Sequence, residues 1–276
     1  MQIKTNDGTI LNVNKKGEGP VLILVPGANG TGDVFAQIAM VLADNFTVIT
    51  YDRRGYGKTV VAETLPNSAA NPDSNYRIDA DVRDIFTLAG EFSPEQPIYI
   101  MGTSAGSIVA EKAFEEDPSR FAKIAIHETM LNTVINDDGK SRNQTNAIVQ
   151  DALNGNPSAV SMLFSRMHVQ PLDSQMMGLA SDSKPDPDKM KSMMFWLKYE
   201  TRQYTSQVID WSLFKEHRDQ VVLLNGTDSV GFLPQDVDNA ISKIIDVPVD
   251  AIPGGHLGYV QKPQEFAQVL EDVLKR

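Results

Sequence analysis

The chain has 276 residues, 41% of them hydrophobic, and carries a net charge of −11. That length fits one large α/β domain or two small ones, and the charge argues against nucleic acid or an anionic membrane as a partner. With no cysteine, the chain has no disulfides, thiol catalysis or thiolate metal sites.

No apolar run is long enough to cross a bilayer, and the start Met1-Gln2-Ile3-Lys4-Thr5-Asn6-Asp7-Gly8 lacks the apolar core of a signal peptide. The expectation is therefore a cytoplasmic location. Residues 2–5 and 9–14 read as a hairpin around Asp7-Gly8. Val21–Val25 is a continuous apolar run ending at Pro26-Gly27, the pattern of a buried strand. Val34–Ala43 has helical spacing, and Phe46–Tyr51 is the next strand, leading into Asp52-Arg53-Arg54-Gly55-Tyr56-Gly57. Residues 64–76 are rich in Pro, Asn and Ser and read as a surface loop. Asp79–Glu91 is an amphipathic helix. Ile98–Met101, Ala122–Ile126, Val221–Asn225 and Val247–Ile252 read as strands, and Pro263–Lys275 as the last helix. Strands alternate with helices at α/β spacing. The exception runs from about residue 130 to 215. It is strand-poor, helical in character, and holds eight of the eleven methionines. The expectation is a helical cap at 133–212 inserted into a core formed by 1–132 and 213–276.

The chemistry centres on Gly102-Thr103-Ser104-Ala105-Gly106, which is G-x-S-x-G between a strand and a helix. A serine on so sharp a turn projects its hydroxyl above the sheet edge, and glycines two residues to either side let the strand and helix pack closely. Ser104 is the candidate nucleophile. The Ala105 N–H, at the helix start, is a candidate donor to a developing oxyanion. A second donor belongs in the loop after the Val21–Val25 strand, where the Ala28 N–H is chosen. That loop matches neither a dinucleotide-binding nor a Walker A pattern, and Asp52 breaks the latter at Gly57-Lys58-Thr59.

A serine nucleophile needs a base. Of His127, His168, His217 and His256, the last sits in a glycine-bracketed loop after the final strand, at the carboxyl ends of the strands. His217 lies in a charged run, and His168 reads as a packing or surface residue of the cap. None shows a metal-binding spacing. Two carboxylates compete to orient His256. Asp228 follows the strand Val221–Asn225, but the usual Gly-x-x-Asp register counted from Gly226 lands on Ser229. Glu128, after the strand Ala122–Ile126, is favoured, with Asp228 as the alternative. The cap methionines suggest an adaptable apolar wall, for which Met130, Met162, Met167, Met194 and Trp196 are candidates.

The segments PGANGTGDVF, ITYDRRGYGKT, MGTSAG, AIHETM, LLNGTDSVGFLP and IPGGHLGYVQKPQEF resemble the α/β-hydrolase family over nearly the whole chain. His127-Glu128 and the Pro-Gly-Gly-His loop are most similar to a branch containing fungal zearalenone lactonases and bacterial hydrolases. The resemblance implies a mostly parallel eight-stranded sheet with helices on both faces and an inserted cap. It also implies a nucleophile at Ser104, a base at His256, an acid at Glu128 and an oxyanion donor at Ala28. The common His-Gly start of the oxyanion loop is Pro26-Gly27 here. The function expected is that of a serine hydrolase acting on a small, uncharged or weakly polar ester or lactone, with no cofactor. Alternatives on the same residues are a cofactor-free C–C hydrolase, a perhydrolase, or a non-catalytic ligand receptor.

Overall fold

The computed structural model describes residues 1–28, 30–135, 138–167, 170–177 and 187–276, without the side chains of 157, 167 and 187–189. Eight strands form one sheet: β1 (Gln2–Lys4), β2 (Ile10–Lys16), β3 (Val21–Val25), β4 (Thr47–Tyr51), β5 (Ile98–Thr103), β6 (Phe121–His127), β7 (Val221–Gly226) and β8 (Val249–Ile252). Their order is β1-β2-β4-β3-β5-β6-β7-β8. The β1–β2 and β2–β4 pairs are antiparallel and the rest parallel. The expected hairpin, the five later strands and the all-apolar character of β3 are thus observed. A parallel strand covered on both faces reads as a continuous apolar run.

Successive strand residues face opposite sides, so each apolar strand feeds two cores. Ile23, Ile100, Ile124 and Leu223 belong to one. Leu24, Met101, Ala125 and Leu224 belong to the other. The helices are α1 (Ala36–Leu42), α2 (Tyr76–Phe92), α3 (Ala105–Glu116), α4 (Lys140–Leu153), α5 (Pro157–Met167), α6 (Pro171–Met176), α7 (Pro187–Tyr199), α8 (Thr201–Thr205), α9 (Trp211–Glu216), α10 (Leu233–Ile245), α11 (Gly258–Gln261) and α12 (Pro263–Lys275). Helices α2, α3 and α10 pack on the first face through side chains such as Ile85, Ile108 and Ile241. Helices α1 and α12 cover the second, with Ile38, Phe266, Leu270 and Leu274. In α12 the apolar residues recur at i, i+4 and i+8, and Pro263 at the first turn has no N–H to leave unpaired. Among the described residues no helix is long and apolar enough to cross a membrane.

Helix α10 was not anticipated. Its stripe Val237, Ile241 and Ile245 is buried, although Asp236 and Asp238 interrupt the apolar pattern. Between β6 and β7 the described residues form no strand. A third apolar cluster there joins Val149, Leu163, Trp196 and Leu197 to Tyr56, and Ala28 packs against it.

The order of strands positions the site. Moving outward from β3, the chain goes first to β4 on one side and then to β5 on the other. Loops at such a reversal leave a crevice at the carboxyl ends of the strands. Val25 pairs with Gly102, Thr103 with His127, His127 with Leu224, and Gly226 with Ile252. The loops carrying Ala28, Ser104, Glu128 and His256 therefore leave the sheet at one end.

Candidate active site

Ser104 has φ 54° and ψ −124°, a backbone that side chains rarely adopt. The strain is held by the surroundings. Its N–H donates to His127 O at 3.0 Å. The Ser107 hydroxyl donates to Gly102 O at 2.7 Å and His127 O at 3.1 Å. A Cβ on Gly102 would lie 2.4 Å from Gly106 O, and one on Gly106 2.3 Å from Val25 O, so both positions need glycine. Ala105 opens α3, and its N–H has no helical acceptor.

The loop holding Ala28 is fixed by Arg53. This fully buried side chain donates from Nε to Pro26 O at 3.0 Å and from Nη2 to Gly27 O at 2.7 Å. Its own N–H donates to Gly30 O at 2.7 Å. In a trans peptide the carbonyl and the following N–H point opposite ways. Anchoring Gly27 O on the guanidinium therefore turns the Ala28 N–H away from it. Arg53 also meets Asp81 at 2.7 Å and Glu200 at 2.8 Å. Arg77 meets the same two carboxylates at 3.2 and 3.0 Å, and the Tyr204 hydroxyl donates to Asp81 at 2.8 Å. Two cations thus face two anions in one buried network. The neighbouring Asp52 is not among the Arg53 side-chain partners. Asp52 instead accepts from Gly32 N at 3.0 Å and Lys58 N at 2.9 Å. Asn29, in the same loop, lies outside the described residues.

His256 is 3% exposed, and its Nδ1 lies 2.7 Å from Glu128 Oε2. The carboxylate can only accept, so Nδ1 carries the proton and Nε2 keeps its lone pair. Glu128 Oε1 accepts from Asn225 Nδ2 at 2.9 Å and Gly226 N at 2.8 Å. Like Ser104, Glu128 has a left-handed backbone, φ 49°. Burial alone would raise its pKa; the His256 bond and charge, with the nearby Ser229 hydroxyl, outweigh this and hold it at about 2. Burial would likewise lower His256, but the Glu128 hydrogen bond and charge, then the Asp173 charge, raise it above 6.5. Asp228 is elsewhere: its half-exposed carboxylate pairs with Lys262 Nζ at 3.1 Å. The buried residue at the Gly-x-x position is Ser229, as the count from Gly226 indicates.

Further titratable groups lie behind this pair. His127 Nδ1 is 2.9 Å from Thr103 Oγ1, and burial lowers its pKa to about 4, so its ring is neutral. Glu111 and Asp238 are fully buried; the Thr129 hydroxyl lies beside Glu111, and neither carboxyl oxygen of Asp238 has a hydrogen-bond partner among the described residues. Burial pushes Glu111 up to about 8 and Asp238 well above the carboxylate range.

A narrow cavity of about 40 Å³ opens on Ser104 and Ala105. Met130 and Trp196 are among its lining residues. Met162 and Met194, also expected there, lie outside the lining and are 53% and 39% exposed. Each sits on the wrong side of its helix: Ala159 and Leu163 are the buried face of α5, Trp196 and Leu197 that of α7. The Met167 side chain and His168 are outside the described residues. Composition alone missed the polar lining, Asn132, Thr145, Thr201 and Arg166. A larger cavity, about 440 Å³, lies apart from Ser104 and His256, beside Asp7, Arg54, Tyr76 and Phe195. Its buried arginines are already paired, Arg54 with Asp7 and Asp84 and Arg77 with Asp81 and Glu200.

The elbow, the carboxylate-held histidine and the sheet order coincide with a match of residues 20–263 to the family model for the alpha/beta hydrolase fold. The chain belongs to that family. It is 24% identical over 281 residues to the uncharacterized hydrolase YraK of Bacillus subtilis (strain 168), covering 98% of this chain and 97% of that one. Among solved structures it resembles the esterase EaEST from Exiguobacterium antarcticum (TM-score 0.70, 17% identity, 100% of this chain and 99% of the other). It also resembles the 2-hydroxy-6-oxo-6-phenylhexa-2,4-dienoate hydrolase from Rhodococcus sp. strain RHA1 (TM-score 0.70, 16% identity, 100% and 99%). At these identities the structural likenesses speak for the fold.

Proposed function

We propose that the protein is a serine hydrolase that cleaves a small ester or lactone through a covalent acyl-enzyme. The observation that carries this reading is the 2.7 Å contact between His256 Nδ1 and Glu128 Oε2, at the sheet end where Ser104 occupies its left-handed turn. A histidine whose Nδ1 is held by a carboxylate offers Nε2 as a base to a serine.

In this mechanism His256 Nε2 takes the Ser104 proton as Oγ bonds to the substrate carbonyl carbon. The carbonyl π electrons move to the oxygen, where the Ala28 and Ala105 N–H groups stabilise the charge. The tetrahedral centre collapses, the C–O bond to the alkoxide breaks, and His256 protonates the departing oxygen. Water then attacks the acyl-enzyme with His256 again as base, releasing the acid and Ser104. Glu128 stays ionised throughout, as its depressed pKa allows.

Residues 133–212 act as the cap over this crevice; the packing of Ala28 against the Val149, Leu163 and Trp196 cluster supports that division. The small cavity favours a short acyl chain, and Arg166 with Asn132 and Thr145 favours a polar group away from the scissile bond. The test is hydrolysis of a chromogenic acetate ester by the wild type and by Ser104→Ala and His256→Ala. Turnover by the wild type, and loss of at least a thousandfold in both variants with folding intact, is the expected result. Undiminished activity in Ser104→Ala would overturn the reading.

A further inference from the structure

Buried backbone N–H groups need acceptors, and in the histidine loop most are found locally. Gly254 N donates to Thr227 Oγ1 at 3.2 Å, Gly255 N to Gln261 Oε1 at 2.9 Å, and Gly258 N to Gly255 O at 2.9 Å. The two between, on His256 and its neighbour, are served from far away. His256 N donates to Asp173 Oδ2 at 2.9 Å, and Leu257 N to Asp173 Oδ1 at 2.9 Å. Gln261 Nε2 donates to the same Oδ1 at 2.5 Å. Asp173 lies on α6, in the helical segment between β6 and β7, and is fully buried. The loop is shaped to receive it: a Cβ on Gly255 would sit 2.4 Å from Asp173 Oδ2.

We propose that Asp173 is a positioning residue of the hydrolytic site, docking α6 onto the histidine loop so that seating of the helical segment and orientation of His256 are one event. This rests on the hydrolase reading above. Lifting α6 away would orphan two adjacent amides and the Gln261 side chain unless water replaces the carboxylate. It would also remove one of two anions near the ring. The titratable groups facing His256 are Glu128 just after β6, Asp173 from α6 and His127 at the end of β6, and the last is neutral. The negative charge of Asp173 favours the imidazolium that forms when Ser104 gives up its proton. An asparagine in its place supplies one acceptor oxygen, turns its NH₂ toward donors, and removes that charge.

The experiment follows the rate at which a fluorophosphonate labels the full chain as a function of pH, together with kcat and KM on an acetate ester, for the wild type, Asp173→Asn and Gly255→Ala. The second variant keeps the carboxylate but pushes the loop off it, and covers the case in which Asp173→Asn does not fold. Expected is labelling still at Ser104 but ~10²-fold slower, a fall in kcat with KM little changed, and an acid limb displaced to lower pH. An unlabelled wild type would refute the hydrolase reading itself. A labelled wild type with variants of unchanged acid limb would overturn the role of Asp173 alone, even if kcat or stability falls.

Discussion

Replacing Glu128 by glutamine puts an amide into a site built for a carboxylate, and the hydrogen bonds decide which way it turns. One carboxylate oxygen accepts from Asn225 Nδ2 and Gly226 N, the other from His256 Nδ1. If the amide oxygen keeps the first pair, its NH₂ faces His256 and forces the proton from Nδ1 to Nε2. If the amide flips, its NH₂ confronts two donors, each left unsatisfied at about 1–3 kcal/mol. The first orientation wins, and with Nε2 already protonated the ring cannot take the Ser104 proton. An amide in place of the acid of a Ser-His-Asp triad lowers kcat by about 10⁴-fold, roughly 5 kcal/mol of barrier. The same loss is expected for Glu128→Gln. Asp228→Asn removes only a half-exposed pair with Lys262, of the kind worth about 0–1 kcal/mol to stability, and should leave kcat within about threefold. Steady-state hydrolysis of a chromogenic ester by both variants, with circular dichroism to confirm folding, measures the contrast. Near-wild-type turnover by Glu128→Gln, or a larger loss in Asp228→Asn, would rule out Glu128 as the acid behind His256.

The pH profile carries a second expectation. The proposed mechanism needs neutral His256, whose pKa is raised from its ordinary 6.5, so kcat/KM should fall as pH drops through that raised value, and in Glu128→Gln the limb should move to lower pH. Arg53→Lys keeps the charge in the buried network but loses the fork that holds Pro26 O and Gly27 O. The kcat should fall by about 10–100-fold, less than the ~10²–10³ for losing an oxyanion donor outright, and an unchanged kcat would show that Ala28 needs no such anchor. Glu111 is protonated in the fold up to about pH 8 but ionises near 4.5 once unfolded. Its folded pKa is the higher, so stability is full below pH 4.5 and is lost as pH rises through 8. Glu111→Gln should therefore be a few kcal/mol more stable than wild type at pH 9 and close to it at pH 4, and parallel denaturation profiles would contradict this.

What the sequence disclosed follows the range over which its signals act. The parallel strands were legible because burial on both faces writes an uninterrupted apolar run, as in Val21–Val25. Ser104 was legible because the elbow packs strand, turn and helix within a few residues. The preference for Glu128 came from counting along one loop, and Ser229 does occupy the buried place that the count assigned. Helix α10 was lost because its apolar stripe is only three residues deep and aspartates stand beside it. The methionines show the limit of composition: density marks a helical segment but not which side of a helix faces inward. The partners of Arg53 and the docking of Asp173 on the histidine loop join residues far apart in the chain, and no local pattern announces them.

The proposed hydrolysis turns on covalent acylation of Ser104. Rapid mixing of the wild type with a slowly deacylated chromogenic ester should release about one equivalent of alcohol per chain in a burst. Intact mass should then show one added acyl group, and peptide mapping should place it on Ser104. No burst, or an acyl group on any other residue, would rule out Ser104 as the nucleophile.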